Sequence, residues 1–360
     1  MNKKEKMLFL ELCKFKNANQ EKMRELVQDG AATPEVLGEL FNNRMSAVAY
    51  GVLYKTELLD KVNREFRNAL GNSYGQNVIR NNGYIKSLSY LTEILKPVEG
   101  KYALLKGAYL CAWYPRGYRT SNDIDVLTEP KNVTEISKVL TTAGFKQGYL
   151  KNNSFIPASR EDIISSKMMR GETVPFIKNV NLPFMKYLEV DINYSLSYKN
   201  EKETLVSELL ANVKRELVKG IEINTLSKYD FLIHLCEHLY KEATTYPWIK
   251  MKRDMTLYKF CDIYALLSEY EKYDFTKLKE RIDSLTLKGV CYYAIYAAQR
   301  IFKMEQTDLN EFLMEIAPES MDVLYDVINP EEKKMYKYEM ELEERLFKKD
   351  RAILLKEVTK

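Results

Sequence analysis

The sequence predicts an α+β protein laid out as a helical region, a mixed α/β core and a second helical region. Three observations carry this. Apolar residues recur at three- and four-residue spacing near both ends, as in Leu8, Leu12 and Phe15 and again in Phe231, Leu235 and Leu239. Between about residues 100 and 225 the texture changes to short β-branched runs of strand length, and helical stretches separate several of them. The composition, 46% hydrophobic and 29% charged with only 14 Gly and 10 Pro, is that of a folded chain and not a disordered or fibrous one. A length of 360 residues suits two or three domains. The expected divisions are an N-terminal helical region over 1–95, a core over 96–225 and a C-terminal helical domain over 226–360.

Each element follows in order. Up to about residue 95, spacings such as Met45, Val48 and Val52 predict several short helices, and Pro34 sits where one can begin, after the Gly30–Thr33 break. In the core, Tyr102–Leu105, Ile124–Leu127, Tyr187–Ile192 and Ile221–Asn224 read as strands. Beyond about 226, Phe231, Leu235 and Leu239, then Leu257, Phe260, Ile263 and Leu266, restore the helical period. The stretch from Glu331 to Val358 follows Pro330 and is dense in Lys and Glu, which predicts an exposed amphipathic helix with i,i+4 charge pairs.

Charge and cysteine usage bound the function. Fifty-five Lys and Arg against 51 Asp and Glu leave a formal net charge of +4, too mild to argue for nucleic acid by bulk electrostatics. Cys13, Cys111, Cys236, Cys261 and Cys291 lie far apart with no CxxC pair, so they read as reduced thiols in a cytoplasmic protein. The longest uncharged run, Gly289–Gln299, is far short of the about 20 residues a membrane span needs. No export or membrane partner is expected.

The chemistry gathers between Leu104 and Leu127. A short apolar strand runs into Lys106-Gly107, a helix can start at Ala108, and after a loop the chain enters a strand at Asp123-Ile-Asp125. Side chains alternate along a strand, so Asp123 and Asp125 project to one side. Two adjacent carboxylates repel unless a cation lies between them, and Mg²⁺ is a hard ion that oxygen ligands suit. Leu188-Glu-Val-Asp-Ile192 supplies another strand carboxylate, and a neighbouring strand would bring Asp191 against the pair. Three carboxylates suffice for two metal ions. Taken alone, an Asp-x-Asp is better explained by a solvated loop or a turn. The upstream strand-Gly-helix turn, with Arg119 and Ser121 before the pair, adds anion donors and changes that balance.

The order Lys106-Gly107, Tyr114-Pro115, Arg119, Ser121, Asp123-Ile-Asp-Val-Leu127, followed by Val190-Asp-Ile-Asn-Tyr194, resembles the bacterial nucleotidyltransferases of the DNA polymerase β superfamily. It is most similar to a branch described only as uncharacterised nucleotidyltransferases, over roughly residues 85 to 270. The resemblance implies a polymerase-β-like core, a mixed sheet with helices, between the two helical regions. It implies that Asp123, Asp125 and Asp191 bind two Mg²⁺ ions, with Mn²⁺ as an alternative. It also implies that a nucleoside monophosphate passes from an NTP, ATP foremost, to an acceptor hydroxyl with release of pyrophosphate. The acceptor classes are a small molecule, a protein side chain and an RNA end. Asp191 would serve also as the base, and Gly107 would start the phosphate-binding turn with Lys106, Ala108, Arg119 and Ser121 beside it. Two departures stand out: Ala108 follows Gly107 where the superfamily has Ser or Gly, and Asn193 stands where the branch commonly has His. Glu189 shares the strand face of Asp191 and is a rival third carboxylate.

Other motifs have plainer readings beside them. The only two histidines form His234-Leu-Cys-Glu-His238, which matches the H-x-x-E-H pattern of a zinc peptidase with Glu237 as base, but no distinctive third ligand follows. The resemblance instead puts His238, and Lys241 on the same helical face, at the nucleotide, while a buried, hydrogen-bonded histidine remains the simpler reading. Trp248–Asp254 is basic with an aromatic anchor, a common helix surface, and Asp262 reads as structural. A non-catalytic binding or scaffold protein of the same fold is the competing class, disfavoured by three carboxylates that repel without metal.

Overall fold

A computed structural model describes residues 1–169, 171–196, 204–269 and 273–358. By packing, the chain divides into two compact units, Gly75–Phe231 and Met1–Tyr74 with Leu232–Lys360. The architecture is α+β, with a mixed sheet and many helices.

The chain opens with α1 (Lys3–Leu12), α2 (Gln20–Gln28), α3 (Pro34–Asn42) and α4 (Ser46–Lys55). Asn2, Asn19 and Thr33 cap the first three with side-chain oxygens, and Pro34 opens α3. The next helix, α5 (Arg64–Leu95), runs 32 residues where shorter ones were expected. No proline interrupts it, and Tyr84, Leu88, Leu91 and Leu95 form a buried stripe at helical spacing that holds it against the core of the Gly75–Phe231 unit.

That unit continues with β1 (Tyr102–Leu104), α6 (Gly107–Leu110), β2 (Asp123–Thr128), α7 (Val133–Thr142), β3 (Lys146–Lys151), β4 (Ser154–Pro157) and α8 (Arg160–Met169). Then come β5 (Phe176–Leu182), β6 (Met185–Asn193), α9 (Leu205–Leu210), β7 (Lys214–Val218) and β8 (Ile221–Thr225). Six strands form one sheet in the order β1-β2-β6-β5-β3-β4, and β7 and β8 form a hairpin. Only β2 and β6 pair in parallel; the other neighbours are antiparallel. One face of the sheet, through Ile124, Val126, Leu188, Val190 and Ile192, packs with the α5 stripe and with Ile136 and Leu140 of α7. Each such fully buried aliphatic side chain contributes about 1.5–3 kcal/mol. The four strands read from sequence are β1, β2, β6 and β8.

After α10 (Lys228–Ala243) come α11 (Tyr246–Lys250), α12 (Leu257–Leu267), α13 (Phe275–Leu285), α14 (Lys288–Phe302) and α15 (Thr307–Glu315). The expected charged helix over 331–358 is not there. Just ahead of it lies β9 (Asp326–Asn329), and the segment itself forms β10 (Lys334–Lys337), the short α16 (Leu342–Leu346), a 3-10 turn at Ala352–Leu354 and β11 (Lys356–Glu357), its strands joining β9 in a three-stranded antiparallel sheet. The reason lies in packing. Val327 and Tyr338 are buried with Ile249, and two of the basic residues counted as solvated are interior. Arg345 donates from Nη2 to the Leu324 carbonyl at 2.6 Å, and Arg351 makes a two-pronged bond to Asp254 at 2.6 and 2.7 Å. Among the described residues no disulfide forms, and no helix is long and apolar enough to cross a membrane.

Candidate active site

The parallel pairing of β2 with β6 sets Asp123 opposite Glu189 and Asp125 opposite Asp191. Because alternate side chains leave a strand on opposite faces, the intervening Ile124, Val126, Val190 and Ile192 enter the core and the four carboxylates share the other face. The apolar residues thus fix the acidic ones: a slip of one position would bury carboxylates and expose the core.

Lys106 leaves β1 toward this face. Its Nζ donates to Asp125 Oδ1 at 2.7 Å. The backbone there is unusual, with φ 41° and ψ −112°, a conformation that costs a side-chain-bearing residue energy and is held by its surroundings. Burial alone would push the ammonium toward neutrality. The charge and hydrogen bond of Asp125, with Asp123 and Asp191 beyond, outweigh it and keep the lysine charged. Ser121 Oγ donates to Asp123 Oδ1 at 2.7 Å, and the long contact from Asn193 Nδ2 reaches Asp125 Oδ1 at 3.5 Å.

The carboxylates respond differently. Burial would raise Asp123, but the Ser121 hydroxyl and the Lys106 and Arg119 charges hold it below the usual range. Asp125 is raised by burial and by Asp123 despite Lys106. Asp191 is pushed well up, by burial first and then by Asp125, Glu189 and Asp123, and Glu189 rises through burial and the two β2 aspartates. Four acids share this face, with Lys106 in direct contact with Asp125 and the Arg119 charge acting on both Asp123 and Asp125. Among the described residues no three His, Cys, Asp or Glu side chains already stand at metal-holding distances. The donor set itself, hard carboxylate oxygens on adjacent rigid strands, fits Mg²⁺ once the Lys106 ammonium yields its place on Asp125.

The turn behind the acids is tight. A Cβ on Gly107 would lie 2.8 Å from Ser121 Cβ and 2.9 Å from both Ser121 Oγ and Tyr84 Oη, so only glycine fits. The Ala108 and Tyr109 N–H groups close the turn on the Leu105 and Lys106 carbonyls at 3.1 and 3.2 Å. The helix begins at Gly107, one residue ahead of expectation. The loop between α6 and β2 is tied to α5: Gly117 N donates to Asn81 Oδ1 at 2.6 Å, Asn81 Nδ2 donates to the Arg119 carbonyl at 2.7 Å, and Arg116 Nη2 donates to Asn82 Oδ1 at 3.0 Å.

Lys106, Gly107, Ala108, Arg119, Ser121, Asp123, Asp125 and Asp191 therefore gather in the Gly75–Phe231 unit. His238 and Lys241 belong to the other unit, on α10. There His234 is buried, and His238 Nε2 lies 3.7 Å from Glu242 Oε1, while Glu242 pairs with the buried Lys259. Tyr84 and Asn81 were missed in the sequence, since a tyrosine in a leucine stripe reads as core and an asparagine on a long helix carries no signal of the loop it will hold.

The site is thus a mixed sheet that presents carboxylates from two parallel neighbours, backed by a tight turn at Gly107. Residues 32–303 match the family of uncharacterised nucleotidyltransferases, and the chain belongs to that family. A solved structure, the antigenic nucleotidyltransferase-like protein from Paracoccidioides brasiliensis, is 12% identical and aligns over 64% of this chain and 91% of that one, at a TM-score of 0.35. A stretch of 89 residues is 34% identical to the proline–tRNA ligase of Endomicrobium trichonymphae, covering 24% of this chain and 16% of that protein. The chain thus spans about a sixth of that relative's length.

Proposed function

We propose that the protein transfers a nucleoside monophosphate from an NTP, ATP foremost, to an acceptor hydroxyl with Mg²⁺ bound by Asp123, Asp125 and Asp191. The observation that carries this is the register of β2 on β6, which sets Asp125 beside Asp191 with Asp123 on the same face. Bound Mg²⁺, as two ions or with Mn²⁺ in its place, supplies positive charge to the triphosphate oxygens and to the attacking oxygen. The residues do the rest. Gly107 and Ala108 form the turn against which the phosphates sit, Ser121 holds Asp123 in place through its hydroxyl, Arg119 offers donors and charge, and Lys106 moves its ammonium from Asp125 to the phosphates. The acceptor oxygen bonds to the α-phosphorus as its proton passes to an Asp191 oxygen, and the bond to the β-phosphate oxygen breaks to release pyrophosphate. Small-molecule, protein and RNA hydroxyls all suit this chemistry.

The test uses each of the four NTPs labelled at the α-phosphate, with Mg²⁺ and separate pools of cellular RNA, protein and small molecules. Label should enter one pool, and Asp123→Asn or Asp125→Asn should abolish the transfer while the variants still melt cooperatively. Transfer at wild-type rate in either variant would overturn the assignment.

A further inference from the structure

We propose that Tyr84, on α5, binds the nucleotide, its hydroxyl donating a hydrogen bond to a phosphate oxygen seated against the Lys106-Gly107 turn; the proposal rests on the transfer reading above. The ring of Tyr84 is explained by the core. It is 2% exposed and continues the stripe of Leu88, Leu91 and Leu95 beneath the sheet. The hydroxyl is not explained by the core. It is buried and has no hydrogen-bond partner among the described residues. A phenol left so forfeits the hydrogen bond it had in water, and phenylalanine would fill the same space without that cost.

Position shows what the hydroxyl is for. It lies 2.9 Å from where a Cβ on Gly107 would sit, and Ser121 Oγ lies 2.9 Å from that same point. Two hydroxyls therefore meet over the turn that leads from Lys106 to the carboxylate face. Ser121 Oγ gives its one proton to Asp123 at 2.7 Å, and no hydrogen bond joins it to the Tyr84 hydroxyl among the described residues. A phenol is protonated at neutral pH and can donate, so its missing partner is an acceptor. The acceptor that the transfer reading brings to this turn is a phosphate oxygen. The helix carrying Tyr84 also holds the Gly117–Arg119 loop through Asn81, one turn earlier, so the hydroxyl and the loop share one rigid support.

Titration calorimetry with magnesium pyrophosphate, the group common to every NTP, tests this without knowing the base or the acceptor. In Tyr84→Phe the dissociation constant should rise about tenfold or more, the loss expected for a hydrogen bond to a charged group. The ligand-free variant should melt at or above the wild-type temperature, which a merely structural tyrosine would not allow. A dissociation constant within about twofold of wild type would overturn the proposal and give the hydroxyl to a buried water. As a check that needs no deletion, 3-fluorotyrosine placed at position 84 should show a fluorine shift on adding magnesium pyrophosphate beyond that with Mg²⁺ alone; an unmoved resonance would overturn the proposal. Failure of the wild-type protein itself to bind magnesium pyrophosphate would instead overturn the transfer reading, and this proposal with it.

Discussion

Asp191 shows what the acidic face costs the protein when no divalent cation is present. Its carboxyl is held well above the ordinary range by burial and then by Asp125, Glu189 and Asp123. A carboxyl with a raised folded value favours the folded state only while it carries its proton. The wild-type protein should therefore lose stability as pH rises from about 4, the unfolded value, through the folded one. Asparagine at this position cannot ionise. With chelator present, Asp191→Asn should melt above wild type at pH 8, and the gap should close toward pH 4; a gap that stays constant with pH would show that the carboxyl is not strained. The aspartates were legible in the sequence because alternation on a strand is a local rule. The part of Lys106 in them was not legible, because nothing local announces a backbone at φ 41° that turns its ammonium onto Asp125.

At the scale of elements, the β2–β6 pair and α5 divide the labour: the strands present the acids, and the helix positions the loop and the turn. Asn81 makes two hydrogen bonds to loop backbone, at 2.6 and 2.7 Å, and they hold Gly117 and Arg119 to the helix. Asn81→Leu removes both and should cost about 1–3 kcal/mol in urea unfolding. Hydrogen exchange should then quicken over residues 115–122 and stay unchanged in β2; equal quickening in both would mean the loop is held by something else. Strands β2, β6 and β8 could be read from their β-branched runs and β1 from its short apolar run. Strands β3, β4, β5 and β7 could not: the Lys, Gln, Asn and Ser they carry lie on exposed edges and faces, where sheet pairing and not hydrophobic pattern decides.

For the molecule as a whole, the surprise lies in its last thirty residues, where a run of Lys and Glu that suggested a solvated helix supplies interior contacts instead. The Arg351–Asp254 pair joins residues 97 apart in sequence and is almost wholly out of water. Removing one partner strands a buried charge, so Arg351→Met should lower unfolding free energy by about 3–5 kcal/mol, and Asp254→Leu added to it should recover most of that. A double variant no better than the single would show that packing, not charge, is the source. Composition could not foresee this, since it counts charges and is blind to which of them will meet.

The ammonium of Lys106 on Asp125 has a consequence for how the protein is made. A chain that must gather acids onto one surface often waits for its ion before it can fold, as small zinc domains do. Here the counter-charge is covalently attached to the strand next door, so, on the proposed function, a newly synthesised molecule would finish folding in a cell short of magnesium and load its ion afterwards. Extraction and refolding in a chelating buffer should return native protein in full yield, with the melting temperature lowered by no more than a few degrees relative to the same protein in Mg²⁺. A chain that refolded only with the ion present would show that the lysine is not an adequate stand-in.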